Sequence, residues 1–140
     1  MYLSENEAIT KIKEFFVSID KKYIYENQKN NIVTCLMIDD GVEVDCLSDS
    51  GHKNFLPWGV FWQAVHIMFV NHGNAKRGLA THKLGTDELP FNSIEGHIAN
   101  VIYGKEKGDS VFRRVSPIAH ILIASGICID KRGDLELVRY

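Results

Sequence analysis

Apolar residues recur at intervals of three and four near the start of the chain: Ala8, Ile9, Ile12, Phe15, Phe16 and Ile19, with Lys11, Lys13 and Glu14 between them. That period sets one stripe of a helix against a core and leaves the charges to water. Ser4 and Glu7 stand at capping-box spacing ahead of the stripe, so the helix is expected to start there. Tyr23 to Tyr25 is a short β-prone run, and Asn27 to Asn30 follows as a polar turn. Ile32 to Ile38 and Val42 to Leu47 then flank Asp40 and Gly41, a pair suited to a two-residue hairpin turn. With that turn, Cys35 faces Cys46, and Val33, Cys35, Met37, Val42, Val44 and Cys46 share one face. Opposed cysteines at such positions are spaced for a disulfide. The competing reading is that they pack as small apolar residues.

Ser48 to Lys53 has turn chemistry and marks an internal boundary. Beyond it Pro57 fits the first turn of a helix, and Trp58, Phe61, Trp62, Val65, Met68 and Phe69 follow at helical spacing. Val60, Ile67 and Val70 extend the apolar surface almost all round, with Gln63 and His66 on a narrow polar strip. Such a helix is buried or meets a partner. Trp58, Trp62 and His66 are therefore candidate interface residues of a homodimer.

Gly73 to Gly78 has GxxxxG spacing, but Leu79 and Ala80 stand where a phosphate-binding loop needs Lys and Ser or Thr. The segment reads as a helix stop followed by a basic loop, with Lys76 and Arg77 as candidate anion contacts. His72 and His82 lack the spacing of a metal motif, and Asp39, Asp40, Glu43 and Asp45 are explained by a turn and a hairpin face. No nucleophile elbow is present. No catalytic residue, metal or cofactor is assigned.

From Phe91 onward, Asn92 or Ser93 can cap a short helix over Ile94, Ile98 and Val101 that ends at Gly104; Asn92 and Glu95 have capping-box spacing. The next helix has two starting points. With Ser110 as cap, Pro117 kinks it and Arg113, Ser116 and His120 form a polar face. With Ser116 as cap, Pro117 occupies the first helical position and the helix is mostly core. Ile127 and Ile129, then Leu135 and Leu137, alternate around Lys131, Arg132 and Gly133, which predicts a terminal hairpin.

This order of helix, turn, helix and hairpin resembles the second half of a winged helix-turn-helix, in which a helix enters the major groove beside a basic hairpin. The resemblance is architectural. It implies nucleic-acid binding, with Arg113, Arg114, His120, Lys131 and Arg132 as contacts. Charge placement agrees in sign: Met1 to His72 carries 6 Lys and Arg against 10 Asp and Glu, and Gly73 to Tyr140 carries 10 against 8.

A chain of 140 residues with 45% hydrophobic content can bury one substantial core. The expected fold class is α+β: an N-terminal helix with a small antiparallel sheet, then a mainly helical half ending in a β-hairpin. One domain, 1–140, is expected, with a subdivision into 1–52 and 53–140. The start of the chain lacks the pattern of a signal peptide, and no apolar run spans a bilayer. With three cysteines in no CxxC spacing, this points to a cytoplasmic protein without a membrane partner. The functional expectation is a nucleic-acid-binding protein, and the alternative is a non-catalytic protein-interaction or homodimerising chain.

Overall fold

Ser4 starts the first helix as a full capping box: its hydroxyl accepts from the Glu7 amide at 3.1 Å, and the Glu7 carboxylate accepts from the Ser4 amide at 2.9 Å. The computed structural model describes residues 1–46 and 53–139. Helix α1 (Glu5–Ser18) buries Ala8, Ile12 and Phe16. Strands β1 (Lys22–Glu26), β2 (Ile32–Ile38), β3 (Gly41–Cys46) and β4 (Lys53–Pro57) follow, all antiparallel, in the order β1-β2-β3-β4. The chain then runs directly into helix α2 (Trp58–Val70), a short strand β5 (Asn74–Lys76), helices α3 (Ile94–Val101) and α4 (Val115–Ala124), and strands β6 (Cys128–Lys131) and β7 (Asp134–Leu137). The last three strands form a second antiparallel sheet, ordered β5-β7-β6. The fold is α+β, with an N-terminal helix, then a sheet, and a β-hairpin at the end. Among the described residues no helix is long and apolar enough to cross a membrane.

The first hairpin differs from expectation in its register. The turn residues are Asp39 and Asp40, so Met37 pairs with Val42, Cys35 with Val44 and Val33 with Cys46. Gly41 opens β3 instead of turning the chain. A Cβ there would collide with the Leu56 carbonyl of β4. The two-residue slip preserves the inward face, since strand side chains alternate with a period of two; Val33, Cys35, Val42 and Val44 are buried. It does separate the cysteines. Cys35 opposes a valine, and burial pushes its thiol up to about 12, so it packs as a protonated apolar group. The turn expected over Ser48 to Lys53 lies, apart from Lys53, outside the described residues, and β4 carries the first sheet past residue 52.

Helix α2 owes its all-round apolar surface to its neighbours within the chain. It packs against α1, α3, β4, β5 and β7. One core cluster takes residues from α1, the first sheet, all later helices and the second sheet. Three further corrections concern the second half. Residues 74–76 form a strand and not a loop, with Ala75 buried against Leu135. In β6 it is Cys128 that faces the core, while Ile129 is 44% exposed. Helix α4 starts at Val115, which places Pro117 in its first turn, where a missing amide leaves no bond unmade.

Gly96 lies in the first turn of α3, where glycine ordinarily costs about 1 kcal/mol relative to alanine. Here a Cβ would collide with the Pro90 carbonyl, while the Gly96 amide donates to Ser93 Oγ at 3.0 Å. Gly96→Ala is therefore expected to destabilise, by about 1 to 3 kcal/mol. Chemical denaturation checks the sign; a gain in stability would show that the turn before α3 yields easily.

Candidate nucleic-acid interface

Glu95 stands in the first turn of α3 and is only 1% exposed. It does not reach back to Asn92; Ser93 caps α3. Its carboxylate turns instead to the start of α4. The Arg114 amide donates to Oε1 at 2.9 Å and to Oε2 at 3.1 Å, and the Val115 amide donates to Oε2 at 3.0 Å. No side chain at the N-cap of α4 does this work. Burial pushes the Glu95 carboxyl up to about 7, against the pull of those two amides and of the Arg114 and Arg113 charges.

The same residue ties α3 to the second sheet. The Glu95 amide donates to the Arg77 carbonyl at 2.9 Å, and the Arg77 amide donates to the Gly133 carbonyl at 3.0 Å. Arg77 thus sits between the turn of the β6–β7 hairpin and the first turn of α3, and Glu95 links that point to the first residues of α4. These hydrogen bonds link three segments that carry basic residues: the end of β5 with Lys76 and Arg77 just after it, the residues before α4 with Arg113 and Arg114, and the hairpin turn with Lys131 and Arg132. Arg132 and Gly133 both have positive φ, 48° and 90°, as a tight two-residue hairpin requires.

These cations are not equally free. The Arg77 guanidinium donates to Asp130 at 2.8 Å, and Lys131 lies 3.6 Å from Glu136. Arg114 lies 3.6 Å over the Tyr103 ring and donates to the Phe112 carbonyl. Lys76, Arg113 and Arg132 are exposed and make no ion pair among the described residues. Lys76 also borders an open polar groove of about 710 Å³, with Asn74, Thr86, Asp87 and Asp134 around it.

His120 does not lie on an open helix face. Its ring stacks on Tyr25 of β1, with centroids 3.8 Å apart and planes within 12°. Burial lowers its pKa, the Arg77 charge adds to that, and Asp130 opposes it. Every residue of α4 is buried or half-buried, and Arg113 precedes the helix. The polar face expected over Arg113, Ser116 and His120 is therefore absent.

The candidate interface residues are engaged within the chain. The Trp58 indole donates to the Asp39 carbonyl at 2.9 Å, with Lys13 over its ring. Trp62 stacks on His66, and His66 Nδ1 lies 2.9 Å from the Glu5 carboxylate. Sequence reasoning missed Glu95 as a cap for another helix, and Asp130 and Tyr25 as partners of Arg77 and His120. Glu95 offered one signal, an acid set between Ile94 and Gly96 in an apolar run. Among the described residues no group of three or more His, Cys, Asp or Glu side chains is placed to hold a metal.

Two measurements test the Glu95 link. Glu95→Ala strands two amides in a buried site and is expected to cost about 2 to 4 kcal/mol. The pH dependence has a definite sign. A carboxyl whose folded pKa, about 7, lies above its ordinary 4.5 adds stability that is complete below 4.5 and lost as pH rises through 7. Thermal unfolding from about pH 5 to about pH 8 should therefore show a falling contribution in the native chain that Glu95→Gln removes. An identical pH profile for the two proteins would refute it.

A scan against protein-family models, a search of curated proteins and a search of solved structures found no match for the chain.

Proposed function

We propose that the chain binds nucleic acid, holding the phosphate backbone with the end where β5, the start of α4 and the hairpin turn meet. The observation that supports this reading is the pair of links made by Arg77 and Glu95, which connect the three segments that carry Lys76, Arg113 and Arg132. Helix α3, helix α4 and the β6–β7 hairpin follow the order of a winged helix-turn-helix, and β5 adds a third strand to the hairpin. Helix α4 departs from a base-reading helix, because it exposes no row of polar side chains to a groove. The reading is thus one of backbone contact with little discrimination among sequences.

A second reading, protein interaction, is favoured by one observation. The outer face of the first sheet leaves Ile24 at 54%, Ile32 at 41%, Leu36 at 40% and Phe55 at 43% exposure. The homodimer form through α2 has less motive, since much of α2 packs within its own chain and only Phe69 and Val70 of its large apolar residues are exposed, at 54% and 52%.

With three unpaired cations as the phosphate contacts, the logarithm of the binding constant for a DNA duplex should fall with the logarithm of salt at a slope of about −3. Arg113→Glu combined with Arg132→Glu should weaken binding and flatten that slope. Fluorescence anisotropy with labelled DNA and RNA checks both, and no salt-sensitive binding at micromolar protein would sink the proposal.

A further inference from the structure

A second polar cluster lies away from the basic end, where α2 passes between α1 and α3. Glu5 of α1 holds His66 of α2 at 2.9 Å, and Gln63, on the same strip of α2, holds His97 of α3 at 2.7 Å. The two imidazoles lie 6.2 Å apart between ring centroids. The strip looks idle in sequence, but in space it is the polar seam through which three helices meet.

We infer that the His66–His97 pair is a proton-operated switch on the seating of α3 against α2, and through Glu95 on the arrangement of the basic end. Its output at that end rests on the nucleic-acid reading; the switch does not. The pair is asymmetric. His66 has a carboxylate partner, and His97 has a neutral one. With Gln63 Oε1 as acceptor, His97 Nε2 carries the hydrogen, so a further proton enters at Nδ1, for which no hydrogen-bond partner is found among the described residues. The titratable groups facing the pair are Glu5 from α1 and the two histidines themselves; Trp62 and Gln63 from α2 are neutral. Glu95, two residues from His97, is turned to the start of α4.

Burial lowers the His97 pKa, and the charge of His66 lowers it further. The sign follows. The unfolded chain takes the proton near the ordinary 6.5 while the folded chain resists, so this contribution to stability is lost as pH falls below 6.5. A proton forced onto His97 places a positive charge in a half-buried site 6.2 Å from the His66 ring, and the relief available is movement of α3 away from α2. Because the first turn of α3 carries both the Arg77 contact and the cap of α4, that movement disturbs the links between the three basic segments.

The test is an NMR titration of the histidine rings with the α3 amides in the same spectra. In the native chain His97 should titrate below 6.5, and the Ile98 and Ala99 amides should shift with the same midpoint. His66→Gln should move the His97 midpoint up, and Gln63→Glu, which gives His97 its own carboxylate, should move it up further. A His97 midpoint unmoved by both variants would overturn the inference, as would α3 amides that do not follow the titration. Duplex affinity should fall over the same pH window in the native chain and not in His97→Gln. If α3 responds and no duplex binds at any pH, the switch stands and the nucleic-acid reading falls; if a duplex binds equally well across the window, the link to the basic end is wrong.

Discussion

One buried carboxylate decides how the second half of the molecule is put together. Taking a carboxyl group out of water is expensive unless hydrogen bonds replace the lost solvent. Glu95 receives them from the first two amides of α4, groups that a helix cannot satisfy for itself. The exchange is mutual: α4 has no side-chain cap of its own, and Glu95 is only 1% exposed. Remove either side and the other becomes a buried polar group without a partner. The start of α4 and the placement of the Arg114 backbone before it are held by this contact.

Electrostatics in this molecule is a matter of position more than of sum. The formal charge is −2, a poor omen for a phosphate-binding surface. Yet neutralising pairs such as Arg77 with Asp130 and Lys131 with Glu136 lock part of the charge into the fold. Lys76, Arg113 and Arg132 are exposed and have no such pair among the described residues. Exposed unpaired charges of this kind act on a ligand in a salt-dependent way.

Much of the fold was legible where local chemistry and tertiary packing agree. The Ser4–Glu7 box, the stripe of α1, the apolar α2 and the terminal hairpin each rest on spacing that only one kind of element satisfies. The hairpin register was not legible, because a shift of two residues leaves every side chain on its own face; in the register adopted, Gly41 lies where a side chain would meet the Leu56 carbonyl. Strand β5 is three residues long, too short to show a period. Glu95 was misread because capping boxes are local rules, and its real partners lie about twenty residues away. The candidate cations were nameable from composition and turn chemistry, but the links between their segments run through main-chain hydrogen bonds and a long-range Glu95 cap, which local side-chain patterns do not show.

Between β4 and α2 there is no linker. Pro57 ends the strand and serves as the cap of the helix, and the Trp58 amide and indole fasten that junction to the turn of the preceding hairpin. This junction leaves no free residue between the last strand of the first sheet and α2. Helix α2 is touched by both sheets and by two helices, so its central amides are expected to be among the slowest to exchange with solvent.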